Sequence, residues 1–248
     1  MPTLHLLGTG AALSGPHRTT TMLALQGGGS HVLVDCGGDA AERLTTAGVD
    51  LARISALVLT HGHADHVSGF PLLIQKLWLA KRGQPLPIRG PATALARARN
   101  LLACFDTSGW AGVPPLEWQA VEPREGAAVW SDAEWLITAA PGSHGRTPSI
   151  GIRAEWNGGG AVAHSSDTEA SSAIARLGRG VAILVHEATG AFAGHSTAEG
   201  AARVAREAQP ERLVLVHLPP DPDLADLETA RSVFPRLQLG ADGDAFVF

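Results

Sequence analysis

Residues 61–66 read His61-Gly62-His63-Ala64-Asp65-His66 and follow directly after the apolar run Ile54 to Thr60. This run is short and ends in a β-branched residue, which predicts a buried strand. Three imidazoles and one carboxylate therefore lie within six residues at the carboxyl end of that strand. Four such groups cannot all bind one small cation with tetrahedral geometry, but they can divide between two cations a few ångströms apart. The cluster predicts a site for two metal ions.

The rest of the chain alternates between short apolar runs and predicted helices, which is typical of sheets covered by helices. Paired strands without an intervening helix are expected at Thr3 to Leu7 with Thr20 to Leu25, and at Ser149 to Trp156 with Ala161 to His164. The remaining strands are predicted at His31 to Asp35, Ile54 to Thr60, Val181 to His186 and Leu213 to His217. Helices are predicted at Ala40 to Ala47, Leu72 to Lys81, Ala92 to Cys104, Glu169 to Leu177, and from a Ser196-Thr197-Ala198-Glu199 capping box to Ala208. No linker or short repeat is present, so we expect one domain over residues 1–248.

The bulk composition excludes some classes of protein. A net charge of −5 and a pI near 6.1 give no global basic field for binding long RNA. Two cysteines, Cys36 and Cys104, are too few for a disulfide framework, so we expect reduced, largely buried thiols in a cytoplasmic protein. No apolar run reaches the roughly 18 residues of a membrane span, so no membrane partner is expected. Arg89, Arg97 and Arg99 are expected on a solvated surface.

The cluster at residues 61–66 resembles the HxHxDH signature of the metallo-β-lactamase superfamily. That resemblance implies an α/β fold, the four-layer αβ/βα sandwich with two mixed β-sheets flanked by helices and the metals at one rim. It also implies that His61 and His63 bind the first ion, and that Asp65 and His66 bind the second.

Three further ligands are implied downstream by the same resemblance. His144 would complete the first site, Asp167 would bridge both ions and His217 would complete the second. Asp35, which ends a predicted strand, matches the early aspartate that orients the ligand loop. The implied cofactors are two Zn²⁺ ions, and Mn²⁺ is compatible with ligands that include no thiolate.

Three other runs resemble ribonuclease Z, the zinc phosphodiesterase that trims transfer RNA 3′ ends, and its close relatives. They are Leu7-Gly8-Thr9-Gly10, His186-Glu187-Ala188-Thr189 and His195-Ser196-Thr197-Ala198. In that family, the histidine that matches His195 lies near the scissile phosphate and the glutamate that matches Glu187 is its partner. The catalytic residues are therefore expected to be Asp65, beside the attacking water, with His195 as the acid and Glu187 as its orienter.

The sequence departs from full-size ribonuclease Z where the family carries an arm that grips transfer RNA. That interval is here a short turn, Asn157 to Gly160, and the residues after His217 are Leu218-Pro219-Pro220 rather than the family's own. These differences weaken the prediction of transfer RNA as the substrate. They do not affect the metal ligands.

We therefore expect a hydrolase that cleaves phosphodiester bonds in RNA or in cyclic nucleotides. Two alternatives stay open: a metal-dependent hydrolase of lactone, thioester or lactam substrates, and a non-catalytic scaffold that binds metal or RNA. The sequence is compatible with a homodimer.

Overall fold

The computed structural model describes residues 1–248. Its strands are β1 (Thr3–Gly8), β2 (Met22–Gln26), β3 (His31–Val34), β4 (Ile54–Val58), β5 (Leu86–Gly90), β6 (Leu116–Ala120), β7 (Ala127–Ser131), β8 (Trp135–Gly142), β9 (Ser149–Trp156), β10 (Ala161–His164), β11 (Ile183–Glu187), β12 (Arg212–Val216), β13 (Leu237–Leu239) and β14 (Ala245–Val247). Its helices are α1 (Ala40–Thr46), α2 (Ala64–Val67), α3 (Phe70–Leu79), α4 (Ala92–Ala103), α5 (Ser172–Leu177), α6 (Ala198–Ala208) and α7 (Leu224–Val233), with a 3₁₀ turn at Leu51–Arg53. No helix is both long enough and apolar enough to span a membrane.

The strands form two mixed sheets of seven strands each. The order is β14-β1-β2-β3-β4-β5-β6 in the N-terminal sheet and β13-β12-β11-β10-β9-β8-β7 in the C-terminal sheet. Each sheet combines antiparallel pairs with a parallel set, β3 to β6 in the first sheet and β10 to β13 in the second. This arrangement confirms the predicted fold class.

Three apolar clusters of buried side chains separate four layers. One fills the space between the sheets, and includes the fully buried Trp135. The second packs α1, α3 and α4 on the outer face of the N-terminal sheet. The third packs α5, α6 and α7 on the outer face of the C-terminal sheet. Central strands such as β3, β4 and β12 are buried on both faces along most of their length, which is why they appear in the sequence as apolar runs, whereas the edge strand β6 is mostly exposed.

The carboxyl ends of several strands meet at one rim of the sandwich. Parallel strands end at the same edge of their sheet, and β3 with β4, and β10 with β11 and β12, are such sets. Strand β8 runs in the same direction as β10, because both are antiparallel to β9. A backbone hydrogen bond of 3.1 Å from the Ile150 amide to the Thr60 carbonyl joins the two sheets at this rim. The fold thus brings segments far apart in the chain to one place.

Some local predictions were wrong. The helix α6 is capped by Thr197, whose hydroxyl accepts from the Gly200 amide, and not by a Ser196 capping box. Ser196 donates instead to the Thr168 carbonyl. The Ala198 and Glu199 amides at the start of α6 donate to the carboxylate of Asp226 in α7. Asp226 therefore takes the place of the Ser196 hydroxyl, which was expected to accept from the Glu199 amide. This long-range contact could not be read from the local sequence.

Three further expectations can be compared with the structure. Helix α5 begins at Ser172 rather than at Glu169, because Ser171 caps it by accepting from the Ile174 amide. Cys36 is buried as expected, whereas Cys104 is exposed at the end of α4. The hairpin between β9 and β10 is as tight as predicted, and the Trp156 amide donates to the Gly160 carbonyl at 3.1 Å.

Candidate metal centre

The loop that carries residues 61–66 is fixed by Asp35, directly after β3. One carboxylate oxygen of Asp35 accepts from the Thr60 amide, at 2.7 Å. The other accepts from the Thr60 hydroxyl and from Nδ1 of His66, at 2.7 and 2.8 Å. These bonds hold both ends of the loop and leave Nε2 of His66 free. The proposed orienting role of this aspartate is supported by its contacts.

A small residue is required where the neighbouring segment passes this loop. A Cβ atom on Gly37 would lie only 1.6 Å from the Asp65 carbonyl oxygen, so any other residue there would displace the ligand loop. The rim also contains three residues other than glycine with positive φ: Asp35, Ser166 and His217 have φ angles of 60°, 54° and 54°. Such backbone strain tends to concentrate at functional sites, and here each residue is next to a candidate ligand or is one.

The first group of candidate ligands contains His61, His63, His144 and Asp167. His144 comes from the loop after β8, so this group joins the two sheets. Nε2 of His144 lies 3.0 Å from Nδ1 of His63 and 3.9 Å from Oδ2 of Asp167. Nε2 of His61 lies 3.6 Å from the same oxygen.

The second group contains Asp65, His66, Asp167 and His217. Nε2 of His217 lies 3.3 Å from Oδ2 of both Asp65 and Asp167. Nε2 of His66 lies 3.5 Å from a carboxylate oxygen of each aspartate. Asp167 therefore belongs to both groups, and the structure brings together all seven residues that the resemblance to the superfamily implied.

The spacing and the unpaired atoms of both groups fit metal ions. Tetrahedral ligands 2.0 to 2.1 Å from a zinc ion lie about 3.3 Å from one another, and the separations above are close to that value. Nε2 of His61 and Nε2 of His66 are buried and have no hydrogen-bond partner. A buried nitrogen without a partner is costly, and a cation in the group would remove that cost.

The protonation states of two first-group histidines also suit metal binding. Burial lowers the pKa of His61, and the neighbouring His66 lowers it further. Burial and the neighbouring His144 lower the pKa of His63 in the same way. Both rings are therefore held neutral, which is the form that binds a metal ion.

Burial and neighbouring charges act in opposite directions on the pKa values of the two carboxylates and of His66. Burial raises the pKa of Asp65 and of Asp167, but the surrounding histidines outweigh this effect and hold both values well below the ordinary one. For His66, burial lowers the pKa, but the charges of Asp167 and Asp35 outweigh burial and raise the pKa well above the ordinary value. Without a metal ion His66 would therefore carry a proton, and binding an ion at Nε2 would release it.

Each candidate histidine ligand has a partner for its other ring nitrogen. Such partners fix the orientation of the ring and the position of its proton. The nitrogen–partner distances range from 2.7 to 3.3 Å and involve Thr60 for His61, Thr147 for His63, Asp35 for His66, the Gly194 carbonyl for His144 and Thr189 for His217. The close approach to His144 requires glycine at position 194, since a Cβ there would lie 3.0 Å from Nδ1 of His144.

A third cluster joins His195 to the metal centre through Glu187. The Glu187 carboxylate is fully buried, and its Oε1 accepts from Nδ1 of His195 at 2.9 Å. Its Oε2 accepts from the Thr189 hydroxyl at 2.8 Å, and that hydroxyl oxygen lies 2.7 Å from Nδ1 of His217. Burial lowers the pKa of His195, but the hydrogen bond and charge of Glu187 outweigh it and raise the pKa above the ordinary value. A protonatable ring therefore lies beside the candidate ligands.

The connecting residue Thr189 was not singled out from the sequence. It stands in the run His186 to Thr189, which resembles ribonuclease Z, and that run was the signal available. Thr147 and the Gly194 carbonyl had no such signal, because their roles depend on contacts across the rim. Arg97 was expected only on a solvated surface. It is exposed, but its guanidinium donates to the Gly62 carbonyl and so covers the ligand loop.

The chain matches proteins of known family over most of its length. Residues 30–218 match the family described as the beta-lactamase superfamily domain. Ribonuclease Z of Methanothermobacter thermautotrophicus is 27% identical over 95% of this chain and 93% of that protein. Ribonuclease Z of Mycolicibacterium paratuberculosis is 34% identical over 73% of this chain and 68% of that protein.

A solved structure shows the same fold. The short form of human tRNase Z superposes with a TM-score of 0.80 at 23% identity, covering 99% of this chain and 98% of that one. The metal rim described above belongs to the part of the chain that the family match covers, from Asp35 to His217. The chain therefore belongs to the metallo-β-lactamase superfamily and, within it, to the ribonuclease Z family.

Proposed function

We propose that the chain is a phosphodiesterase of the ribonuclease Z type that depends on two metal ions. One observation carries this proposal: two groups of four ligands share Asp167, and His195 lies against them with Nδ1 bonded to a buried carboxylate. The two ligand groups are suited to many hydrolytic reactions. His195, with its buried carboxylate partner, supplies the proton that a departing alkoxide requires.

The seven residues His61, His63, Asp65, His66, His144, Asp167 and His217 would hold the metal ions. When bound, two divalent cations supply positive charge to the phosphoryl oxygens and lower the pKa of a water molecule. Imidazole and carboxylate ligands without a thiolate suit Zn²⁺ and also accept Mn²⁺. Zinc is our proposal for the native metal.

His195 is proposed to act as the general acid. Because carboxylate oxygens only accept hydrogen bonds, the bond to Glu187 places a proton on Nδ1 of His195 and directs Nε2 away from Glu187. The side chain is 19% exposed, so the ring reaches the pocket over the ligands. As the bond from phosphorus to the leaving oxygen breaks, Nε2–H gives its proton to that oxygen and the ring becomes neutral.

Asp65 is proposed to orient the attacking water. Its carboxylate lies in the second ligand group and lines the pocket in which His195 also lies. Its low pKa makes it a weak base. The carboxylate is therefore better suited to accept a hydrogen bond from the water than to remove its proton.

The substrate class is proposed as a phosphodiester, either at the 3′ end of RNA or in a small nucleotide. The curated relatives named ribonuclease Z support the first substrate. The tight hairpin between β9 and β10, which replaces the arm, and the net charge of −5 favour the second. In both cases the bond that breaks is a phosphorus–oxygen ester bond.

A substrate panel tests this proposal. The protein loaded with zinc would be assayed on bis-para-nitrophenyl phosphate, cyclic nucleotides, short RNA and precursor transfer RNA, beside an aryl thioester and a lactone. We expect hydrolysis of the phosphodiesters and little or none of the others. Rapid hydrolysis of the esters without action on bis-para-nitrophenyl phosphate would show a different hydrolase. Binding of RNA without any turnover in added zinc or manganese would show a scaffold.

A further inference from the structure

The pocket over the ligands has an apolar mouth. Its volume is about 250 Å³, and its floor is made by His63, Asp65, Asp167 and His217 with His195 at one side. Its outer wall contains Leu13, Phe192, Pro219 and Pro220. Pockets that enclose whole ligands are commonly 300 to 1,000 Å³. A space of this size accepts one phosphate and one adjoining group.

Phe192 is the one aromatic residue of this wall. Its side chain is 65% exposed, so it contributes little to the core. The backbone around it is nevertheless held in place, because the Phe192 amide donates to the Gly190 carbonyl at 2.8 Å and the His195 amide donates to the Phe192 carbonyl at 3.0 Å. A tight turn therefore presents an aromatic ring to solvent three residues before the proposed acid.

Phe192 also lines a second pocket, whose charged residues are all carboxylates. Phe192, Thr189 and Pro219 line both the pocket over the ligands and a neighbouring pocket of about 250 Å³. The neighbouring pocket is lined by three carboxylates, Asp221, Asp223 and Asp226. Asp223 and Asp226 cap α7 and α6 respectively, so both are fixed in position. A sugar-phosphate backbone that continued past Phe192 would meet this negative charge.

We propose that Phe192 determines substrate specificity by stacking on a single nucleobase of a mononucleotide phosphodiester. This inference rests on the proposed function, since the phosphate of that nucleotide is the group placed over the metal ligands. Stacking of a base on an aromatic side chain suits an exposed, pre-positioned ring. The acidic pocket beyond it ends the site after one nucleotide, so the substrate is small rather than a polymer.

Binding measurements test the stacking separately from catalysis. Calorimetric titration of the zinc-loaded protein with adenosine 5′-monophosphate and with ribose 5-phosphate compares two ligands that share the sugar phosphate and carry adenine or a hydroxyl group on C1′. We expect the nucleotide to bind about tenfold more tightly. Phe192→Ala should remove that difference without changing the affinity for ribose 5-phosphate, Phe192→Leu should remove most of it, and Phe192→Trp should retain it.

Phe105→Ala is the matched control, because Phe105 is 56% exposed at the end of α4 and does not line this pocket. It should leave both affinities unchanged. Equal affinity of the wild-type protein for the two ligands, or an equal loss of both in Phe192→Ala, would overturn the proposal. Since the readout is binding, a lack of phosphodiester turnover would count against the proposed function and not against the stacking.

The size limit has its own test. Wild-type kcat/KM would be compared for adenosine 2′,3′-cyclic phosphate and for a five-residue oligoadenylate that ends in the same cyclic phosphate. We expect the mononucleotide to be hydrolysed with the higher kcat/KM, and Phe192→Ala to raise its KM with little change in kcat. A higher kcat/KM for the oligonucleotide would contradict the assignment of a mononucleotide substrate.

Discussion

The two sheets contribute to the metal rim in different ways. The N-terminal sheet supplies its ligands in one loop, His61 to His66, which is held by Asp35 of the same sheet. The C-terminal sheet supplies His144, Asp167 and His217 from three separate loops, together with the pair of Glu187 and His195. The first side supplies ligands for the cations and, through Asp65, the proposed orientation of the attacking water. The second side adds the group that transfers a proton, so the reaction depends on the dispersed half of the site.

The largest loss of activity is expected from a change in Asp167, the ligand that both metal-binding groups share. Asp167→Asn removes charge from the one residue shared by both ligand groups. We expect loss of at least one metal ion per chain and a fall in kcat of about 10³-fold or more, because the metal ions supply several kcal/mol of charge stabilisation. Metal analysis by mass spectrometry and bis-para-nitrophenyl phosphate hydrolysis would measure both. Asp106→Asn, which changes an exposed aspartate that belongs to neither ligand group, is the control.

The next largest loss of activity is expected from His195→Ala, which tests proton transfer separately from metal binding. His195→Ala should keep both ions and lower kcat by about 10²-fold or more on a substrate with an alkoxide leaving group. On bis-para-nitrophenyl phosphate the loss should be far smaller, because para-nitrophenolate leaves without a proton. An equal loss on both substrates would contradict the role of His195 as the acid.

A smaller effect is expected from the residue that links the acid to a ligand. Thr189→Val removes the hydroxyl that lies between Glu187 and Nδ1 of His217. Residues that orient a metal ligand typically contribute about 10- to 100-fold to metal affinity, so we expect a loss of that size for the second ion alone. Thr189→Ser, which keeps the hydroxyl, should bind zinc as the wild-type protein does. An unchanged affinity of Thr189→Val for the second zinc ion would show that Thr189 does not support the metal ligand.

The smallest expected effect is a pH dependence. Burial lowers the pKa of His195 but Glu187 raises it above its ordinary value of 6.5, and the acid acts only when protonated. With a poor leaving group, kcat should therefore be constant at pH values below the folded pKa and fall about tenfold per unit above it. This descending limb should be absent for bis-para-nitrophenyl phosphate and in His195→Ala. A limb that survives in His195→Ala would have another origin.

The contrast between the sheets also explains what could be predicted from sequence. The ligands at residues 61–66 are adjacent in the chain, so their chemistry was evident from spacing alone. Asp167 and His217 have no local signature and were placed only through the order of motifs in the superfamily. Thr147 and Thr189 act through contacts with rings that lie 84 and 28 residues away in the sequence. Nothing local indicates Thr147, and Thr189 is marked only by its place in the run His186 to Thr189.

The same physical reason accounts for the errors in secondary structure. The pattern Ser196 to Glu199 satisfies the local requirements of a capping box, but the Glu199 amide, which the Ser196 hydroxyl was expected to bind, donates to Asp226 of α7 instead. Thr197 then becomes the cap. Local propensity was overruled by a contact between two helices, and such contacts are known only once the fold is known.

The most direct test of the central claim is a metal titration followed by activity. Metal-free protein would be titrated with Zn²⁺ while hydrolysis of bis-para-nitrophenyl phosphate is recorded at each addition. The two ligand groups predict that activity rises until two equivalents of zinc per chain are bound and then stays constant. Full activity at one equivalent, or two bound equivalents without hydrolysis, would contradict a phosphodiesterase that uses two metal ions.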